Sequence, residues 1–381
     1  MGKLNAFIVS IVRFAIKFLF FLLPIKKSKI LFINFNGRGY GCNPKYIAEE
    51  ILNQKLPLDL VWCVSDTNEP LPSGIRKVKF RPDIKYFYEI ATAKVIVTNV
   101  KNDLGLFKKR GQYIIQTWHG SMGGKRAEGD ALNSLSPKYI KASRHNSKQT
   151  DLFLSNSRAL SDYYRKAFWC ECEILECGSP RNDILFRDNT HTITKVREFF
   201  GIDADTKIAL YAPTFRDENS NFNYFLSGEK ILSAFKKPGE NWVLLIRMHP
   251  NVSEFSNNFT YNDKVLNATF YPDMQELLCV SNALITDYSS SVFEMAIMKK
   301  AIYIYAPDFE EYNATRGLLP AFLNMPYPFN KTEEQLIETI VSDTSQSVKT
   351  NAETFIKDFG CTDNGTASKQ TVERIKQIMG I

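Results

Sequence analysis

Short apolar runs recur along this chain, each closed by a polar, glycine or proline break. One series comprises Lys29-Ile30-Leu31-Phe32-Ile33-Asn34-Phe35, Leu58 to Val64, Lys94 to Thr98, the run from Tyr113 to Trp118 that His119 follows, Phe153 to Asn156 and Glu173 to Cys177. A second opens at Lys207-Ile208-Ala209-Leu210-Tyr211-Ala212-Pro213 and continues at 242–248, 265–270, 283–286 and 301–305. Runs this short, rich in β-branched and aromatic residues, predict strands buried on both faces, as in parallel sheets. Helical patterns lie between them. One starts at Asn43-Pro44, with Asn as N-cap and Pro at the first helical position. Strand–helix alternation predicts an α/β fold with parallel sheets. The polar stretch from Arg187 to Thr194 reads as a linker, and Lys331 to Ile381 as helices. The expected architecture is two Rossmann-like doubly wound domains facing a cleft, the glycosyltransferase-B type, over 29–188 and 189–345. Residues 346–381 are expected to pack back on the first domain. A chain of 381 residues is long enough for two such cores.

The first 28 residues are different. Leu4 to Leu23 is almost wholly apolar, yet Arg13 and Lys17 near its centre would each cost about 2.5–3.5 kcal/mol in a membrane-spanning helix. Lys3, Ser10, Arg13 and Lys17 fall on one helical face, which fits an amphipathic helix lying in the membrane interface. Lys26, Lys27 and Lys29 would each add roughly 1 kcal/mol against anionic lipid. Residues 1–48 hold eight basic side chains and no acid, so the net charge of +7 becomes about −1 over the rest. A near-neutral body excludes a general nucleic-acid binder, which carries a basic stripe on its folded domain. Seven unpatterned cysteines fit reduced thiols, and Cys170, Cys172 and Cys177 lack a fourth soft ligand for a structural metal.

Two of the four histidines stand alike in the two halves. His119 ends Tyr113-Ile114-Ile115-Gln116-Thr117-Trp118-His119-Gly120, and His249 ends Trp242-Val243-Leu244-Leu245-Ile246-Arg247-Met248-His249-Pro250. Residues just past a parallel strand lie at the carboxyl edge of the sheet, where open α/β sheets bind ligands. A histidine there in each half implies imidazole chemistry between two domains. His145 and His191 sit in polar stretches and read as solvent-facing. In Thr286-Asp287-Tyr288-Ser289-Ser290-Ser291-Val292-Phe293-Glu294 a strand passes through a polar turn into a helix. Ser291 and Glu294 have capping-box spacing, which would leave Ser289 and Ser290 free to meet a phosphate. Thr214, Arg216 and Arg247 lie at neighbouring strand ends, and Arg suits bidentate phosphate binding. Together these segments describe an anion pocket for a diphosphate. On the other side, Gly37-x-Gly39-x-Gly41 is no dinucleotide fingerprint, and its glycines are expected to let backbone approach an acceptor. The loop Gly120 to Arg126 adds Lys125 and Arg126. No Asp-x-Asp, HExxH or Walker loop argues for a metal, and no cofactor is expected.

Thr117-Trp118-His119-Gly120, Gly178-Ser179-Pro180-Arg181-Asn182-Asp183, Tyr211-Ala212-Pro213-Thr214-Phe215-Arg216, Arg247-Met248-His249-Pro250 and Thr286-Asp287-Tyr288-Ser289-Ser290 resemble, in order, the motifs of the CDP-glycerol glycerophosphotransferase family. Asn43-Pro44-Lys45 fits as well. The resemblance implies transfer of glycerol phosphate from CDP-glycerol to a hydroxyl of a lipid-linked acceptor, with release of CMP. It also implies peripheral attachment to the cytoplasmic face of the membrane. By the same resemblance His119 is the general base and His249 lies near the donor phosphates. Thr214, Arg216, Arg247, Asp287, Ser289, Ser290, Glu294, Asp308 and Arg316 fall to the donor pocket. Gly37, Gly39, Asn43, Gly120, Lys125 and Arg126 fall to the acceptor side. The family's polymerases carry a long segment ahead of this domain, so a primase or short-chain enzyme is expected here. A CDP-ribitol donor, a nucleotide-sugar glycosyltransferase of the same fold, and an inactive membrane scaffold are the alternatives. Acceptor, polymer and oligomeric state stay open.

Overall fold

The computed structural model describes residues 18–81, 83–101, 108–121, 124–216 and 224–381. Lys3, Ser10, Arg13 and Lys17, which define the polar face of the expected interfacial helix, lie outside these, as do Met122 and Gly123. Among the described residues, no helix is long and apolar enough to cross a membrane.

Two wholly parallel sheets organise the chain. The first has seven strands in the order β3-β2-β1-β4-β5-β6-β7. These are β1 (Lys26–Ile33), β2 (Asp59–Val64), β3 (Ile75–Lys79), β4 (Ala93–Thr98), β5 (Tyr113–Gln116), β6 (Leu152–Ser155) and β7 (Glu173–Glu176). The second has six, in the order β10-β9-β8-β11-β12-β13. They are β8 (Lys207–Tyr211), β9 (Trp242–Ile246), β10 (Val265–Asn267), β11 (Ala283–Thr286), β12 (Ala301–Tyr305) and β13 (Phe329–Asn330). In both sheets the strand order reverses beside the founding strand, at β1/β4 and at β8/β11. Loops leaving the carboxyl ends there diverge and open a crevice.

The apolar runs are continuous because both faces of each sheet are covered. Successive residues of β1 go to opposite cores. Ile30 and Phe32 pack with Ile47, Trp62, Val372 and Ile375, while Leu31 and Ile33 pack with Tyr86 and Ile90. Ile47 lies on α1 (Cys42–Asn53), and Tyr86 and Ile90 on α2 (Ile84–Thr92). Between the halves of the first sheet's connections run α3 (Pro137–Gln149) and α4 (Arg158–Ala167). The second sheet is served by α5 (Thr190–Phe200), α6 (Gly228–Phe235), α7 (Met274–Val280), α8 (Ser291–Ile297), α9 (Phe309–Thr315), α10 (Pro320–Leu323) and α11 (Glu333–Ser342).

Two helices end the chain and take different sides. On α12 (Ser345–Asp358), Phe355 packs edge-on to Phe293 of α8, in the second core. The chain then crosses over. Thr362 N–H donates to the Asn156 carbonyl (2.8 Å), and α13 (Ala367–Met379) lies in the first core. Asp183 receives α13: its carboxylate accepts from the N–H groups of Ala367 (2.9 Å) and Ser368 (2.7 Å).

Several local expectations are corrected. Strands β3 and β13 were not expected, because Ile75-Arg76-Lys77-Val78-Lys79 is too charged and Phe329-Asn330 too short to read as buried runs. Both are sheet edges, where charge is tolerated and blocks further pairing. The stretch 187–194 is a linker only to Asn189, since α5 begins at Thr190. Helix α1 starts at Cys42 without a side-chain cap, and Asn43 is engaged elsewhere. Lys29 cannot meet lipid. It is fully buried, paired with Glu89 and bonded to Thr92 Oγ1 at 2.7 Å. His145 and His191 are exposed, as expected.

Candidate active site

The carboxyl ends of β1, β4 and β5 build the first side of the site. Asn34 follows β1 and Asn99 follows β4, and Asn99 Nδ2 donates to Asn34 Oδ1 at 2.7 Å. His119 Nδ1 lies 2.7 Å from the Asn99 carbonyl oxygen. A carbonyl can only accept, so Nδ1 carries the proton and Nε2 keeps its lone pair. Trp118, at φ 51°, turns the chain sharply here, a left-handed conformation that a bulky residue holds only under tertiary constraint. The constraint is visible: Asn43 Nδ2 donates to the carbonyls of Thr117 (3.2 Å) and Trp118 (3.0 Å). Trp118 and Phe35 flank the imidazole, with centroids 4.1 and 5.3 Å away. Burial pushes the His119 pKa down to about 4, aided by the positive charges of Arg181 and Lys125 and by His249, and opposed by the Asn99 bond. The ring is a neutral acceptor at physiological pH.

The second side comes from the ends of β8, β9 and β11. His249 Nδ1 accepts from Asn251 N–H at 3.2 Å, which assigns the proton to Nε2. Its ring lies 4.7 Å from that of Phe215, and burial, with Lys125 and Arg247 nearby, brings its pKa down to about 4. The two histidines therefore present opposite chemistry through the same ring atom: a lone pair on His119 and an N–H on His249.

Several donor-side expectations take a different form. Arg216 is buried and its guanidinium is shared by two carboxylates, Asp287 (2.9 Å) and Asp308 (2.6 Å). Asp287 also accepts from Thr214 N–H (2.9 Å) and Oγ1 (3.1 Å), and Asp308 from the Tyr288 hydroxyl (3.0 Å). These five residues brace the loops after β8, β11 and β12 to each other. Arg247 donates to the carbonyls of Tyr271 and Ala268, and burial lowers its pKa to about 10. The expected capping box does not form. Ser289 Oγ, not Glu294, takes the Ser291 N–H (3.2 Å), and Glu294 is fully buried against Arg181 (2.5 Å). Ser289 and Ser290 are partly exposed at the head of α8, and Ser289 Oγ also accepts from the Ser291 hydroxyl at 2.9 Å.

On the acceptor side, Gly37 is required by packing: at φ +90°, a Cβ there would lie 2.7 Å from that of Phe80. Gly39 has open space around it. Asn43 is buried, its oxygen accepting from Arg181 N–H at 3.0 Å, so it positions the loop around His119. Lys125 and Arg126 cross to the second half. Lys125 forms an antiparallel bridge with Leu318, Arg126 N–H donates to the Gly317 carbonyl (3.0 Å), and Gly124 N–H to that of Tyr288 (3.1 Å). Lys125 Nζ consequently sits 5.1 Å from the Phe215 ring centre, beside His249, and Arg316 approaches the same ring at 5.9 Å. At Gly120 a Cβ would lie 2.7 Å from Ser290 Oγ, so the two sides touch at that glycine.

Residues that sequence reasoning passed over are Asn34, Asn99 and Arg181. The signal for the first two was present, an asparagine directly after each of two strands that prove adjacent. Arg181 lay inside a quoted motif without a role.

The whole chain has close relatives in sequence and fold. Residues 15–377 match the CDP-glycerol:poly(glycerophosphate) glycerophosphotransferase family. A teichoic acid poly(glycerol phosphate) polymerase of Bacillus spizizenii (strain W23) is 32% identical over 371 residues, 93% of each chain. One from Staphylococcus epidermidis is 30% identical over 91% of this chain, which spans 50% of that protein's length. A solved structure of the wall teichoic acid polymerase TagF aligns with a TM-score of 0.85 and 28% identity, over 98% of this chain and 95% of that one. The Bacillus spizizenii match also removes chain length as a ground for expecting a primase, since a polymerase of similar extent exists. With the family model, the relatives and the fold in agreement, the chain belongs to the CDP-glycerol:poly(glycerophosphate) glycerophosphotransferase family.

Proposed function

We propose that this protein transfers glycerol phosphate from CDP-glycerol to a hydroxyl of a membrane-lipid-linked acceptor, in teichoic-acid-type polymer synthesis, with the chemistry centred on His119 and His249. The observation that carries the assignment of roles is the pair of opposed tautomers. His119 Nε2 takes the proton of the acceptor hydroxyl as its oxygen attacks the glycerol-bearing phosphorus. The bond from that phosphorus to the bridging oxygen breaks and CMP leaves with the electron pair. The His249 Nε2–H donates to the oxygen on which negative charge grows, with the Lys125 ammonium close by. Ser289 and Ser290 offer hydroxyls to the donor phosphates. The Arg216–Asp287–Asp308 network holds those loops in place rather than meeting the ligand itself.

The two-sheet arrangement supports a glycosyltransferase-B reading, with 29–188 serving the acceptor and 189–345 the donor. The lipid-linked acceptor suits an enzyme lying on the cytoplasmic face of an anionic membrane. Phe18, Leu19, Phe21 and Leu22 are 42–64% exposed on the helical stretch 18–22, beside exposed Lys26 and Lys27, which supports an interfacial N-terminus.

Nucleotide release tests the reading. The protein is incubated with CDP-glycerol, CDP-ribitol or nucleotide sugars, together with a lipid-linked acceptor mimic. CMP from CDP-glycerol, lost in His119→Ala, is the expected result. CMP from CDP-ribitol alone would move the donor assignment, and a nucleoside diphosphate from a nucleotide sugar would overturn the reaction class.

A further inference from the structure

One buried ion pair joins the two sides of this site, and neither member is accounted for by the reaction above. Arg181 stands in the 3-10 turn Pro180–Phe186, after the last strand of the first sheet, and is about nine-tenths buried. Its Nη1 donates to the His119 carbonyl at 2.6 Å and lies 3.8 Å from Cys42 Sγ. Its Nη2 donates to Glu294 Oε1 at 2.5 Å. Glu294 belongs to α8, the helix that Ser289 and Ser290 lead into, and is completely buried. The same Nη2 is 4.0 Å from where a Cβ would stand on Gly120. One guanidinium thus grips the backbone of the base and the helix behind the serines, across the point where the halves meet.

Resting on the proposed function, we infer that Arg181 is a positioning residue for the transfer: with Glu294 as its counter-ion, it sets the base, His119, against the donor-side serines. A buried pair of this kind is weak evidence for stability, because apolar residues of similar volume often hold a fold equally well. What a fork-shaped, permanently charged group adds is geometry, two fixed directions from one plane. Misplacing a reacting group by about 1 Å can cost on the order of a hundredfold in rate. Arg181 also sets the charge felt by His119. Together with Lys125 and His249 it lowers the pKa of that ring, so losing it raises that pKa.

The test uses full-length Arg181→Met, Glu294→Gln and the double variant Arg181→Met/Glu294→Met, with two independent readouts. Four histidines make the imidazole NMR signals tractable, and His119→Asn identifies one of them by its loss. In Arg181→Met, the His119 titration is expected to move to higher pH. Turnover is expected to fall about a hundredfold, while the Kd for CDP-glycerol changes less than about threefold. The double variant is expected to regain melting temperature without regaining turnover. An unmoved His119 titration in Arg181→Met, or turnover recovered together with stability, would overturn the inference. If Arg181→Met does not fold, Glu294→Gln reads the same link with opposite sign, because an uncompensated guanidinium lowers the His119 pKa further. The NMR arm needs no turnover, so a wild-type protein that releases no CMP sinks the proposed function while still deciding the place of Arg181.

Discussion

What a histidine does here is set by the partner of its second nitrogen. The Asn99 carbonyl makes His119 an acceptor, and the Asn251 N–H makes His249 a donor. Both rings are held neutral by burial, near pKa 4 instead of the ordinary 6.5. Activity at pH 5.5 is therefore expected to stay close to that at pH 7. An unshifted base would leave only about a tenth of the enzyme neutral there. A kcat/KM profile with its acid limb near 6.5 would contradict the assignment. The same shifts bear on stability. The unfolded chain takes up these protons near pH 6.5 and the folded chain only near 4, so this contribution is whole above 6.5 and disappears as pH falls to 4. In the proposed mechanism His249→Ala loses one charge-stabilising donor, and it is expected to lower turnover at least about a hundredfold, read by CMP release. Near-normal turnover would return His249 to a packing role. Both histidines were legible in the sequence because each stands just past an apolar run, three residues beyond the end of a strand. The arginines were not: nothing local distinguishes Arg216, bound to Asp287 and Asp308, from an arginine waiting for phosphate.

Elements read well where apolar runs were long and poorly where charge or tertiary partners intervened. The capping box at Ser291 and Glu294 had correct spacing, but Ser289 Oγ already takes the Ser291 N–H, and a carboxylate facing Arg181 gains more than one meeting a backbone N–H. Helix α13 shows the reverse, a cap supplied from outside its own segment. It has no side-chain cap of its own, and Asp183 holds two of its first N–H groups. Asp183→Ala is expected to destabilise the protein by about 2 kcal/mol, the upper end for a lost cap, since these groups are buried. A urea unfolding midpoint within error of wild type would show that water replaces the carboxylate.

At the scale of the molecule, the two sheets are tied by more than their crossover. Lys45 reaches Asp273 (2.6 Å), the Lys125 segment pairs with Leu318, and the last helix returns to the first core. The N-terminal segment, proposed above to meet the membrane, is the remaining large feature. Because β1 begins at Lys26 and Lys29 is buried, the informative truncation removes residues 1–17 and not 1–28. Full-length protein is expected to sediment with phosphatidylglycerol vesicles, less so at high salt. The truncated form is expected to stay in the supernatant while still releasing CMP with a soluble acceptor. Continued sedimentation would place the membrane contact on the mostly exposed residues 18–27 or on the folded body.

The sequence by itself determined the parallel α/β plan, the two strand series and the pair of histidines at strand ends. All of these follow from local periodicity and from the breaks that close each run. Only the tertiary structure decided which imidazole accepts and which donates, that Arg216 braces loops, and that Arg181 spans the cleft. Those outcomes depend on through-space partners far apart in the chain, and burial makes an unpaired charge or donor costly enough for the partner to dictate the role.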